Sequence, residues 1–138
     1  MHNFLRNQYY TNKTIIYLGV VKTKEDNVIV QKSYQFAVRC VKLYKYLCEK
    51  EHDYVIGKQL MRSGTSVGAN VKEAIRGISK AEFRTKMSIS LKEASESEFW
   101  IEVLRDTGYL SDQQAESLLQ DCQELLKLLM TIVKSSQE

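Results

Sequence analysis

The stretch Leu60-Met-Arg-Ser-Gly-Thr-Ser-Val-Gly-Ala-Asn-Val-Lys-Glu-Ala-Ile-Arg-Gly77 decides the fold. Leu60, Gly64, Val67, Val71 and Ala74 recur at spacings of four, three, four and three, which puts them on one helix face. Yet Ser63, Gly64, Thr65, Ser66, Gly68 and Asn70 are poor helix formers beside Ala or Leu. A helix of such residues needs neighbours to hold it. Gly64 and Gly68, four apart, share a side and let another backbone come close. The spacing predicts a helix over about 54–76, with Asp53 as an N-cap and Gly77 as the left-handed residue that ends it.

Three more helices follow outward from this one. Upstream, Phe36, Cys40, Leu43 and Leu47 form an apolar face that Ala37, Tyr44 and Cys48 widen. The pattern predicts a helix from Ser33, as N-cap, to Glu51, with His52-Asp53 as the break. Downstream, Ser79-Lys-Ala-Glu82 reads as a capping box opening a helix over about 80–107. Phe83, Ser90, Ser97 and Leu104 repeat every seven residues there, as do Met87, Ala94 and Ile101. Ile89, Trp100 and Val103 form a second strip on that helix, the candidate oligomer interface. Gly108 ends it, and Ser111-Asp-Gln-Gln114 opens the last helix. Its face, Ala115, Leu118, Cys122, Leu125, Leu129 and Ile132, alternates three and four.

Composition agrees with this reading. The 138 residues contain no proline and six glycines, which favours long helices. Four helices with short connections give an all-α, antiparallel up-down-up-down bundle over 27–138. Residues 1–26 lack a helical period and are expected as a loose tail, with a β-prone run from Thr14 to Val21 as a possible short strand. The run Ile15 to Val21 is too short to span a membrane. Three cysteines in apolar patterns read as reduced core thiols, and with no signal pattern a cytoplasmic location is expected. Asn12-Lys-Thr14 matches a glycosylation sequon by chance.

The residues name no reaction. Glu93 and Glu96 are three apart, but His2 and His52 lie in no Glu-x-x-His pair, so a di-iron site is not expected. Cys48 and His52 lack a second ligand pair for zinc. Gly64-Thr-Ser-Val-Gly68 is followed by Ala69-Asn70 rather than the lysine of a phosphate loop. Ser63, Ser66, Asn70 and Glu73 form a polar strip, read as structural because no nucleophile–base pair accompanies it. No cofactor, metal, small-molecule substrate or catalytic residue is expected.

Net charge is +3, too small to argue nucleic-acid binding by itself. Its placement is uneven, however. Lys72, Arg76, Lys80, Arg84 and Lys86 cluster across the turn between helices two and three, and Arg39, Lys42 and Lys45 lie on helix one. These eight are the candidate nucleic-acid contacts; the alternative is a solubilising surface.

Three stretches carry a resemblance: Ser33-Tyr-Gln-Phe-Ala37, Gln59 to Ala74, and Lys86 to Ala94 leading to Glu98-Phe-Trp100. From about Asn27 to Val133 the chain resembles the four-helix-bundle proteins encoded in intervening sequences of bacterial 23S ribosomal RNA genes. The resemblance implies a ring-forming homo-oligomer, typically a pentamer. Relatives include the accessory protein of diversity-generating retroelements, which implies RNA or a reverse-transcriptase-type protein as partner. Over 27–138, 16 basic residues against 15 acidic ones run against strong nucleic-acid binding. The expected function is thus a non-enzymatic oligomer that binds RNA or a nucleic-acid–protein complex. The alternative is a protein-adaptor ring with no nucleic-acid role.

Overall fold

The computed structural model describes the backbone of residues 10–11, 14–17 and 20–137 and the side chains of 28–137. Three short strands come first: β1 (Tyr10–Thr11), β2 (Thr14–Tyr17) and β3 (Val20–Thr23). They pair antiparallel in that order, with Ile16 opposite Val21. From there the chain is all-α. It forms α1 (Lys24–Lys50), α2 (Ile56–Ile75), α3 (Lys80–Asp106) and α4 (Asp112–Ser135).

Helix α1 begins nine residues before the expected Ser33. The β-branched run Val28-Ile-Val30 reads against a helix locally. Burial overrides it: Ile29 is fully buried and extends the stripe Ser33, Phe36, Cys40 and Leu47 by one turn. Ser33 is therefore not an N-cap. It lies inside the helix, buried, with its hydroxyl donated to the Val30 carbonyl at 3.3 Å. The break falls where expected. His52 sits in the left-handed region at φ 54°. Buried Asp53 caps the next helix from three residues ahead of its start. Its Oδ1 accepts from the N–H groups of Val55 and Ile56, both at 3.1 Å, and its Oδ2 from Gly57 at 2.6 Å.

Gly77 does not take the left-handed conformation; of the glycines among the described residues, Gly108 does, at φ 87°. Gly77 is instead buried, where a Cβ would lie 3.2 Å from the Ala74 carbonyl oxygen. At Ser79 the hydroxyl accepts from Glu82 N–H at 3.0 Å, while Glu82 reaches back to Ile78 N–H at 3.3 Å. The Ser111–Gln114 capping box is complete in both directions.

Both seven-residue series of α3 are buried, as is the face of α4. The helix contacts follow one order. Along α2, Gly57, Gly64 and Gly68 meet Leu47, Cys40 and Ser33 of α1 in turn. Ser63 and Val67 of α2 meet Ser97 and Ser90 of α3. Cys122 of α4 donates to the Ala94 carbonyl of α3 at 3.3 Å, and Arg39 of α1 reaches Asp121 of α4. Small residues at these crossings let backbones approach and set where each helix sits against the next. No described helix is long and apolar enough to cross a membrane.

Candidate functional site

The polar strip of α2 divides in the structure. Ser63 is buried and its hydroxyl lies 2.8 Å from that of Ser97. Ser97 in turn donates to Glu93 O at 2.9 Å, and buried Ser90 donates to Val67 O at 2.8 Å. These hydroxyls satisfy one another where α2 and α3 touch. Ser66 and Asn70 bond back into their own helix, to Arg62 O and Ser66 O, each at 2.8 Å. Glu73 pairs with Lys86 at 2.9 Å. Among the described residues these hydroxyls bond to one another or to main-chain carbonyls and to no basic side chain, so the strip offers register rather than a nucleophile.

Beside it lies a network that helical spacing did not reveal. Arg62 bridges Glu93, at 3.1 Å, and Glu96 on α3. Trp100 donates its indole N–H to the same Glu96 carboxylate at 2.9 Å. The indole hydrogen bond first, then the guanidinium, holds the Glu96 carboxyl below its ordinary range. Glu93 and Glu96, three apart on α3, were the available signal, but nothing local points to Arg62, 31 residues away. Trp100 is half-buried by this bond and stands edge-on to Phe99, ring centres 5.0 Å apart. Phe99 is 54% exposed, Ile89 is 38% exposed and Val103 is half-buried. The second strip of α3, Ile89, Trp100 and Val103, is thus partly open to solvent, and Phe99, which the strip does not include, is more exposed than any of the three.

The eight candidate basic residues are not one patch. Arg39 is committed to α4, where it bonds Asp121 and the Ser117 carbonyl and hydroxyl. Arg84 reaches the Ser136 carbonyl at 3.5 Å, and Lys86 is taken by Glu73, whose bond raises the lysine pKa. Lys80 lies half-buried at the start of α3. Lys42, Lys45, Lys72 and Arg76 stay exposed, with no carboxylate partner among the described residues. Because Cys40 meets Gly64, Lys42 and Lys45 lie toward the other end of α2 from Lys72. That separation is of the order of 15 Å or more, at 1.5 Å per helical residue.

A groove that the sequence reading missed opens between α1 and α2. It holds about 500 Å³ and is lined by Val30, Tyr34, Ala37, Gly68, Ala69 and Lys72, among others. Of its α1 residues, Ala37 lies at the edge of the apolar stripe, and Val30 and Tyr34 lie outside it. Their exposure follows from the close α1–α2 approach, which leaves them outside the contact.

Among the described residues no group of three or more His, Cys, Asp or Glu side chains is placed to hold a metal ion. The cysteines are free thiols. Burial pushes the Cys40 and Cys122 thiols up to about 12, whereas Cys48 is only half-buried. At pH 8 the two buried thiols hold roughly a thousandfold less thiolate than at their ordinary pKa. Iodoacetamide labelling of the folded protein is expected at Cys48 alone, read by peptide mass spectrometry. Equal labelling of all three would contradict the packing of α1 on α2 and of α4 on α3. Because these pKa values are raised above the unfolded value of 9.0, stability is full below pH 9 and falls as pH rises toward 12.

The comparisons match this architecture. The model of the 23S rRNA-intervening sequence protein family matches residues 25–131. A crystal structure from Bacteroides thetaiotaomicron VPI-5482, a protein of unknown function from the S23 ribosomal protein family, is 48% identical. It superposes with a TM-score of 0.78, covering 80% of this chain and 98% of its own. No curated protein matches. The residues matched run from the second residue of α1 to near the end of α4, so the chain belongs to the 23S rRNA-intervening sequence protein family.

Proposed function

We propose that the protein is a non-enzymatic antiparallel bundle that assembles into a ring of identical subunits, a pentamer, and binds RNA or an RNA–protein complex. The observation that carries the nucleic-acid part is charge placement. Helices α1 and α2 together hold nine basic and four acidic residues, whereas α3 and α4 hold seven basic and ten acidic. Lys42, Lys45, Lys72 and Arg76 stand exposed on the positive half, with no carboxylate partner among the described residues. In a ring such groups repeat around the symmetry axis and their fields add. The partly open strip Ile89, Trp100 and Val103, with Phe99 beside it, supports subunit contact, since it offers apolar surface outside the bundle core.

A second reading, an adaptor ring with no nucleic-acid role, draws on the internal pairing of Arg39, Arg84 and Lys86. Fluorescence anisotropy with labelled single-stranded RNA separates the two. Four phosphate contacts per protomer predict about 50-fold weaker binding between 50 and 200 mM salt, through counterion release. Lys72→Glu with Arg76→Glu is expected to flatten that salt dependence by about half. No binding at the lower salt would decide for the adaptor. Native mass spectrometry of Ile89→Glu and Val103→Glu tests the ring, which should dissociate.

A further inference from the structure

The groove between α1 and α2 is lined mainly by apolar and small residues, and of that lining the RNA reading uses Lys72 alone. On α1, Val30, Tyr34, Ala37, Val41, Tyr44 and Cys48 follow at spacings of four, three, four, three and four. They share one side of the helix, beside the core stripe. None is buried; Val30 is 39% and Tyr34 69% exposed. The opposite wall is low: Gly68 and exposed Ala69 present almost no side chain. At Gly68 the backbones meet, since a Cβ there would lie 3.1 Å from the Ser33 carbonyl oxygen. The Thr65 hydroxyl on the rim is already donated to Met61 O at 2.7 Å. The floor therefore offers mainly apolar contact area, with exposed Gln31 and the Tyr34 hydroxyl as polar groups at its edge.

The one charged residue of the groove's lining is a lysine, and two further cations lie beyond its ends. Lys72 lines the groove and Arg76 follows one turn on along the same side of α2. Lys45 lies eleven residues, three turns, from Tyr34 on the same side of α1. The one acid of α2, Glu73, is engaged by Lys86 toward α3. Among the described side chains of α1, the one acid is Glu49, in its last turn.

We propose that this groove is a docking site for an acidic amphipathic helix of a partner protein. From Val30 to Ala37 the wall runs seven residues, about 11 Å or two helical turns. That length suits apolar anchors at i, i+4 and i+7 of an incoming helix. The small residues of α2 let its backbone lie close. Carboxylates on its flanks meet Lys72, Arg76 and Lys45, which steers encounter and sets orientation. Phosphates would meet the same cations, but the run of aliphatic and small residues along the floor suits the apolar face of a helix. The proposal thus stands without the RNA reading, though it shares Lys45, Lys72 and Arg76 with it.

The test uses the full chain and a fluorescent synthetic helix of about 15 residues, with Leu at i, i+4 and i+7 and Glu along both flanks. Its controls are a scrambled version and one with Lys in place of Glu. Saturable binding at least about tenfold tighter than either control is expected. Tyr34→Ala and Ala69→Glu should each weaken it about tenfold, with Met130→Ala on the exposed side of α4 without effect and circular dichroism unchanged. Tyr34→Ala should leave the salt dependence of RNA binding as it was, so the two readings fail separately. Equal binding of all three peptides, or none, overturns the proposal. So does a change of assembly mass by native mass spectrometry in Ala69→Glu, which would place a second copy over the groove.

Discussion

Phe36→Ala is expected to lower the unfolding free energy by about 3–5 kcal/mol, through lost burial plus the cavity left behind. Phe36 is 1% exposed and lies where α1 passes α2; its ring edge would be 3.5 Å from a Cβ placed on Gly64. The site has little freedom to collapse, because Cys40, Leu60 and Val67 around the crossing are themselves fully packed. On a domain whose total stability is of the order of 5–15 kcal/mol, such a loss takes a large share. Urea unfolding read by circular dichroism should show a lower midpoint with an unchanged slope. A loss under about 1 kcal/mol would mean that α1 does not pack on α2 here.

Gly64→Val is expected to cost about 3 kcal/mol at the same crossing, by overpacking rather than by a void. A Cβ at Gly64 overlaps the Cys40 sulfur and lies 3.0 Å from the Cys40 Cβ. The sulfur is short and buried, so it has nowhere to turn without moving α1. Removing glycine from a helix interior gains at most about 1 kcal/mol, which does not offset the clash. The pair Cys40→Ala with Gly64→Ala should therefore be more stable than the two single effects sum to, by about 1 kcal/mol or more. Strict additivity in thermal or urea unfolding would sink the close-approach argument. Because this crossing also sets the groove above Gly68, helix binding by Gly64→Val is expected to fall with it.

Local order was legible in the residues. The alternating stripe of α4, both seven-residue series of α3 and the complete capping box at Ser111 needed only the helical period and reach over three residues. Asp53 as a cap was legible for the same reason. The family was legible in three stretches, Ser33–Ala37, Gln59–Ala74 and Lys86 to Trp100. Of the candidate site, the exposed Lys42, Lys45, Lys72 and Arg76 were nameable, but their separation along the bundle was not.

What the sequence determined by itself is which residues share one face of one helix. Which faces meet was decided by the tertiary structure. The start of α1 shows the difference: Val28-Ile-Val30 argues against a helix until Ile29 finds a core to enter. So does Gly77, whose smallness serves a close contact with Ala74 and Glu82 rather than a left-handed turn. Arg39 finds Asp121 across 82 residues, Arg62 finds Glu93 across 31, and Lys86 finds Glu73. The pairings of Arg39 and Lys86 commit two cations that sequence alone counted as available. The physical reason is reach. Hydrogen-bonded turns and caps act within one turn of chain, whereas burial and charge pairing act through space, and only the packed helices say which space is shared.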